Sequence, residues 1–422
     1  MAGMCRRTSS VRPTSPWTSK PTPMARPAER RSAMATITSR AAPPETGDAI
    51  DVGPCLDLIS RNAQAGREAR QVPAASVEAL REAGLFRSFV PRGLGGAGAT
   101  PQQWLRALIR IAERDMSTAW IGGIISVHAF QIALMDRRAQ QEVYGADPDR
   151  RVSSSYNPVG ARTEVVEGGV MLHGRWGWSS GSGHCDWVLL GAIVEGRPLL
   201  QTLLVPRADY AIEDSWRVMG LQGTGSNDIV IDRPVFVPDY RIHSQMDGYR
   251  RLHDQPDKLY GLPWGQVFTA TVAAPAIGAA RHALALFAER IGSSSTDPSK
   301  GTGDPDILRR VAEARSLIDR AEATLLRNFD GLMDAIAGDE DISLLERARC
   351  RYETGSTVVR MMEAVDLLFD VAGGRSVFLD SEIQAIWHDI HIARAHVANN
   401  PVPLARNYGA MVLGGENKDY FI

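Results

Sequence analysis

Apolar side chains recur at helical spacing from about residue 48 to 146 and again after residue 262, and the stretch between reads as short strands. In the first block Thr100-Pro101 supplies an N-cap and a first-turn proline, and Leu105, Leu108 and Ile109 follow on one face. In the last block Asp304-Pro305 opens a long helix. Its Ile307, Val311, Ala314, Ile318, Ala321, Leu325, Leu332 and Ile336 keep to one stripe. Long amphipathic helices in this number predict an antiparallel four-helix bundle. Between the blocks, Val188–Val194 and Leu199–Val205 flank a Glu195-Gly196-Arg197-Pro198 turn, and Ile229–Val237 is rich in β-branched residues. The pattern predicts an α+β chain: a helical domain over 46–150, a β-domain over 151–243 and a helical bundle over 244–422.

Met116 to Met135 carries no Lys, Arg, Asp or Glu and is about as long as a bilayer span. Ser117, Thr118, Gly122, Gly123, Ser126, His128 and Gln131 give it too many polar groups for an isolated span, which predicts a buried core helix and no membrane segment. His128 must then be buried and bonded. Residues 1–45 differ: Arg6, Arg7, Arg12, Lys20, Arg26, Arg30 and Arg31 lie among Pro, Ser and Thr, without amphipathic period. They read as a disordered tail, with Met34 as the natural start.

Composition narrows the function. The 422 residues are 44% hydrophobic and 23% charged, and 47 Lys+Arg against 49 Asp+Glu leave a net charge of −2. No basic stripe is available for nucleic acid. Four cysteines, Cys5, Cys55, Cys185 and Cys350, fit neither a disulfide scaffold nor a zinc finger and suit the reducing cytoplasm.

Three clusters carry candidate chemistry. Gly93-Leu94-Gly95-Gly96-Ala97-Gly98 matches a dinucleotide fingerprint, but a helix and Pro91 precede it instead of a strand, so it reads as a connecting loop. The chain then has no nicotinamide site of its own. In Gly174–His184, Trp176 and Trp178 lead into Ser179, Ser180 and Ser182. Indole faces can wall a flat aromatic ligand and a hydroxyl can bond a ring nitrogen, while a structural tryptophan corner accounts for the pattern equally well. In Trp387–His396, read as one helix, three of the nine histidines fall within nine positions, and Asp389 and His396 share a face. No Glu-x-x-His accompanies His388 and His391, so no metal site is assigned. Acid–base work and satisfied structural histidines are the two readings of the cluster.

Together these stretches resemble the acyl-CoA dehydrogenase superfamily. Within it the likeness is to the oxygenase components of two-component flavin-dependent phenol ortho-hydroxylases, the 4-hydroxyphenylacetate and secosteroid hydroxylases among them. The matching runs are VPRGLGGAGAT (90–100), STAW (117–120), SVHAF (126–130), VSSSYNPVG (152–160), GRWGWSSGSGHCDW (174–187), GLQGTGSND (220–228), PWG (263–265) and WHDIHIARAHVANNP (387–401). The resemblance implies an N-terminal helical domain, a central β-barrel-like domain and a C-terminal four-helix bundle in a homotetramer. It implies reduced flavin (FMNH2 or FADH2) from a separate NAD(P)H:flavin reductase, and O2 used through a C4a-hydroperoxide to hydroxylate a small aromatic substrate.

By position, the resemblance places Ser180 at flavin N5, with Ser179 adjacent and Trp178 as the wall of the ring. Thr224 and Ser226 would contact flavin, and Gly373-Gly374 would approach a neighbouring subunit's cofactor. His396 would act on the phenol. His128, Ser154, Tyr156 and Trp264 would line the substrate pocket, with Phe130 as further aromatic lining. Gln222 stands where the secosteroid hydroxylases carry arginine. N- and S-oxygenating enzymes of the same branch are the alternative. Acyl-CoA dehydrogenases fit less well: many carry their base in a Tyr-Glu-Gly run, and no Glu lies between Glu382 and Glu416 here. A chain lacking residues 1–33 is expected to keep the parental activity and melting temperature, and a substantial loss of either would contradict the tail assignment.

Overall fold

The computed structural model describes residues 49–198, 200–244, 255, 257–293 and 303–422. The expected tail over 1–45 and Leu199 of the expected run Leu199–Val205 lie outside the described residues, as do residues 294–302.

Helices α1 (Leu56–Ala69), α2 (Ala74–Glu82), α3 (Pro101–Ala112), α4 (Met116–Ala133) and α5 (Arg137–Tyr144) come first. Thr100 and Gln103 form a reciprocal capping box on α3, so the Thr100 and Gln103 N–H groups of that terminus are bonded. Asp115 caps α4, accepting from the Thr118 amide at 2.7 Å. Every residue of α4 is buried, as its uncharged sequence predicts. Its polar groups are met internally: Ser126 takes the Trp104 indole N–H at 2.8 Å, and Gln131 reaches Thr202 in the β-domain at 2.9 Å. The glycine-rich run after α2 is a connecting loop, folded on itself by bonds from the Gly96 amide to Pro91 and from the Ala97 amide to Arg87.

Eight strands follow: β1 (Val152–Ser155), β2 (Ala161–Val166), β3 (Gly169–Ser179), β4 (Trp187–Ile193), β5 (Leu200–Pro206), β6 (Ala211–Glu213), β7 (Asn227–Pro238) and β8 (Ile242–Ser244). They form two four-stranded sheets, β1-β4-β5-β8 and β2-β3-β7-β6. Val188, Leu190, Leu203 and Val205 meet Val170, Leu172, Trp176 and Ile229 in one shared core between the sheets. The alternate residues Leu189 and Leu204 join the helical core instead. Strands β4 and β5 are thus covered on both faces, which is why Val188-Leu189-Leu190 is a continuous apolar run and not an alternating one.

The second helical block holds α6 (Trp264–Ser293), α7 (Pro305–Ala337), α8 (Leu344–Gly355), α9 (Thr357–Phe369), α10 (Glu382–Ala393) and α11 (Pro401–Val412). Helices α6, α7, α9 and α10 pack on one another as the bundle, and α6 also packs against α3 and α4. One hydrophobic core consequently runs from Ile50 to Ala398 through both helical blocks.

The expected single helix through Trp387–His396 is not what forms. Helix α10 stops at Ala393, and His396 begins a short 3-10 turn, Val397–Asn399. The Asn399 side-chain amide donates to the Ala393 carbonyl at 2.9 Å and to the Val272 carbonyl at 3.1 Å, replacing the bonds a longer helix would supply;. Pro401 could not have continued the ladder. His396 therefore leaves the helix surface and no longer shares a face with Asp389.

Candidate functional site

A cavity of about 1340 Å³ opens between the second sheet, α4, α6 and the segment after α10. Its β-side is built by a local irregularity. Strand β3 pairs Trp176 with Ile229 and then Ser179 with Asn227, so one extra residue is accommodated between them. Trp176 faces the sandwich core, only 1% exposed, with its indole N–H on the Gly191 carbonyl at 2.8 Å. Trp178 falls in the bulge, adopts a left-handed φ of 68° and stands 66% exposed on the cavity wall. A bulky residue in that backbone region is an outlier that local packing has to enforce. Trp176 is the structural tryptophan of the pair, and Trp178 is the one whose indole lines the cavity.

Beyond the bulge Gly181 turns the chain with φ 70°, and a Cβ there would lie 3.2 Å from Ile125 and 3.3 Å from Ile121 on α4. This turn sets Ser180 against α4 and against the 220–226 loop. A hydrogen-bonded row results: Trp120 Nε1 to Ser180 Oγ at 3.2 Å, Ser180 to Ser226 at 2.8 Å, Ser226 to Thr224 at 2.7 Å, and Thr224 to the Leu221 carbonyl at 2.9 Å. The two ends fix its direction. An indole N–H only donates and a carbonyl only accepts, so each hydroxyl proton points toward Leu221. Ser180 thus keeps one unused lone pair, and it lines the cavity.

The 220–226 loop is itself held from the bundle. Leu221 has a left-handed φ of 53°, and its amide donates to buried Asp389 on α10 at 2.5 Å. Trp216 bonds the Leu221 carbonyl at 2.9 Å, and Gly181 N bonds the Thr224 carbonyl at 2.8 Å. Burial raises the Asp389 pKa to about 7, with Asp115 adding to the rise and the Leu221 amide opposing it.

His396 lines the cavity on the side formed by the bundle, its ring edge-on to Trp120 at 5.8 Å and tilted against Phe268 at 6.0 Å. Burial, with the positive charge of Arg351 acting in the same direction, lowers its pKa to about 4. The imidazole is therefore neutral at physiological pH. Its Nδ1 accepts the Ala398 amide at 3.2 Å, which places the single ring proton on Nε2. The site presents His396 as a hydrogen-bond donor.

Ser154, Tyr156, Trp178, Ser180, Thr224, Ser226 and His396 all line this one cavity. Tyr156 is aimed by a 2.6 Å bond from its hydroxyl to Gln131. Other residues expected in the pocket are not on its wall. His128 lies behind Tyr156, its ring 6.1 Å away, with Nδ1 at 2.8 Å from the Val152 carbonyl. Burial lowers its pKa to about 4. Trp264 and Phe130 stack at 6.1 Å inside the core, and Phe268, 5.5 Å from Trp264, takes the wall position. Ser179 is buried under the bulge, and Gly373-Gly374 is exposed between α9 and α10. His391 stacks on Trp387 at 3.9 Å and bonds its carbonyl at 2.8 Å, a structural histidine.

Sequence reasoning missed five contributors. Trp120 lay inside a quoted motif without a role. Phe268 had no distinguishing signal. Arg351 did have one: with Ala348 and Gly355 it occupies the buried stripe of α8, where a charge is out of place. Asp419 and Phe421, from the last residues, also line the cavity, and no periodicity announces them.

Comparison with known proteins agrees with this architecture. The family model described as acyl-CoA dehydrogenase, C-terminal domain, matches residues 270–401. The oxygenase subunit HsaA of a flavin-dependent monooxygenase from Mycobacterium tuberculosis is 37% identical over 360 residues, covering 82% of this chain and 90% of that protein. The oxygenase component of an FADH2-dependent resorcinol hydroxylase from a Rhizobium strain is 33% identical, covering 86% and 93%. The crystal structure of 3-HSA hydroxylase from Rhodococcus sp. RHA1 superposes with a TM-score of 0.83 at 34% identity, covering 87% and 97%.

Asp389 makes stability depend on pH in a defined direction. An ordinary Asp ionises at about 3.9, so between about pH 4 and 7 the folded chain holds a proton that the unfolded chain has lost. This group's contribution is therefore full at the acid end and declines as pH rises through that window. Asp389→Asn retains an acceptor for the Leu221 amide without a charge, so its melting temperature relative to the parent should climb from pH 5 to 8. A constant difference across that range would refute the raised ionisation.

Proposed function

The chain belongs to the family of flavin-dependent monooxygenase oxygenase components with the acyl-CoA dehydrogenase fold, and on that premise we propose that its cavity hydroxylates a phenol with O2 and reduced flavin. A separate NAD(P)H:flavin reductase would deliver FMNH2 or FADH2, in accord with the names of its relatives as oxygenase subunits or components. The buried, unpaired Cys55, Cys185 and Cys350 suit a cytoplasmic location. In a homotetramer the exposed Gly373-Gly374 would approach a neighbouring subunit's flavin.

The residues present fit a flavin. About 1340 Å³ exceeds the roughly 300–1,000 Å³ of a site for one drug-sized ligand, which leaves room for an isoalloxazine ring and a substrate together. The exposed face of Trp178 would cover the ring, and Ser180 would accept from a ring N–H. Reduced flavin, when bound, activates O2 so that one oxygen atom reaches an electron-rich carbon and the other leaves as water.

The observation that carries the reading is the neutral His396 with its proton on Nε2. A donor at that position holds a phenolic oxygen and favours its ionised form, which raises electron density at the ortho carbon. Trp120, Tyr156 and Phe268 would keep water from the reacting groups. With a flavin reductase, NADH and a panel of phenols, His396→Ala should lose about 10²- to 10⁴-fold in coupled hydroxylation. His396→Gln, whose amide can donate from near Nε2, should recover part of it. Because His396 stays neutral above about pH 4, no inflection near pH 6.5 should come from this residue. Parental rates in His396→Ala would sink the assignment.

A second prediction concerns the hydroxyl row. Reduced flavin donates from its central N5–H, whereas the oxidised ring accepts there. Thr224→Val keeps the shape of the side chain but deprives Ser226 of its acceptor, so Ser226 turns to Ser180 and the Ser180 proton turns outward. Anaerobic equilibrium binding should show the preference for reduced over oxidised flavin falling by about three- to tenfold. An unchanged ratio would dismiss the inferred direction of the row.

A further inference from the structure

The last residues of the chain complete the cavity. Gly414–Ile422 folds back on the bundle, and Asp419, Tyr420 and Phe421 all face the same space as His396. Gly265, at the start of α6, makes this possible: a Cβ there would stand 1.9 Å from the Phe421 carbonyl oxygen. Asn407 bonds Asn417 at 2.8 Å and the Lys418 amide at 2.7 Å, and Arg347 bonds the Ile422 carbonyl at 3.2 Å. Phe421 then lies 5.8 Å from Phe268, the ring that also touches His396.

Seating the tail brings two charges together out of water. Arg351 is 6% exposed, its guanidinium bonded to Thr269 and 5.2 Å over the Phe421 ring. Its Nε stands 3.5 Å from Asp419 Oδ2, too far for a hydrogen bond, and neither atom has another partner among the described residues. Asp419 Oδ1 is occupied by the Phe421 amide at 2.9 Å. The other ionisable residues of the tail side, Arg406, Glu416 and Lys418, are exposed and solvated. The enclosed charges on the wall therefore cancel, and a ligand anion would find Arg351 already compensated and Asp419 beside it.

We propose that Asp419 is a specificity-determining residue: as the fixed counter-ion of Arg351 it restricts the cavity to phenols that carry no anionic group. The inference rests on the phenol reading above, and binding measurements separate the two. An ion buried without a counter-charge is strongly disfavoured, and removing one partner of a buried pair leaves the other seeking a replacement. With Asp419 gone, a carboxylate on the substrate becomes that replacement.

The probes are 4-ethylphenol and 4-hydroxyphenylacetate, which differ by a methyl against a carboxylate. Their dissociation constants are measured by calorimetry on the full chain, alongside product formation with flavin reductase. The parent should bind 4-ethylphenol more tightly, and Asp419→Asn should shift the ratio toward 4-hydroxyphenylacetate by about tenfold or more. A parent that prefers the acid, or a ratio that the substitution does not move, overturns the proposal. A shifted ratio without product from either phenol would leave the counter-ion role standing and remove the phenol reading. If Asp419→Asn is not recovered folded, the double variant Arg351→Met/Asp419→Asn, which buries no charge, should retain the parental preference for 4-ethylphenol; loss of that preference equally overturns the proposal.

Discussion

The Leu221 amide reaches the Asp389 carboxylate only when helix α10 of the bundle lies against the loop that enters β7. That one 2.5 Å bond joins the β-sandwich to the bundle and holds Leu221 in a left-handed conformation. The loop carries Thr224 and Ser226, whose hydroxyls fix the proton of Ser180. Loosening the clamp would free the row to rotate, and Ser180 would no longer present a defined lone pair. A buried carboxylate is a costly choice for a clamp. Its pKa near 7 records the cost, since the group is held where its charged form is poorly solvated.

The opposite wall is set by where α10 ends. The Asn399 amide takes the Ala393 carbonyl, the chain turns, and the Ala398 amide meets His396 Nδ1. The turn therefore fixes both the position of the imidazole and its tautomer. Burial and Arg351 keep the ring uncharged. The cavity thus faces an acceptor, Ser180, on one side and a donor, His396, on the other, between aromatic walls. That arrangement suits two flat ligands with complementary polar edges better than one ligand of mixed polarity.

Charge enters the cavity sparingly. Arg351 is the buried cation on the wall, and Asp419 arrives from the tail to balance it. The same pair seats Phe421 beside Phe268 and closes the apolar lining. Recognition of substrate charge and closure of the cavity are in this way two consequences of one ion pair.

Much of the architecture was legible along the chain. The uncharged stretch over α4, the Thr100 and Asp304 caps and the double-sided apolar run of β4 each report a property that neighbouring residues decide: helix period, cap chemistry, burial on one face or two. Motif order carried the resemblance, and with it Ser180, Thr224, Ser226 and His396. Other expectations failed for spatial reasons. His128 and Trp264 share the aromatic, buried character of pocket residues, but Tyr156 and Phe268 stand in the wall positions. The sequence by itself determined most of the helices and strands, because helix period, strand alternation and cap chemistry depend on residues a few positions apart, and its motifs carried the family resemblance. Only the tertiary structure decided the direction of the hydroxyl row, the tautomer of His396 and the pairing of Arg351 with Asp419. The row and the ion pair join residues far apart in the chain, as with Ser180 and Ser226 at a separation of 46 residues, and the tautomer is set within a turn that Asn399 fastens to Val272, 127 residues away; no local pattern encodes how such atoms meet.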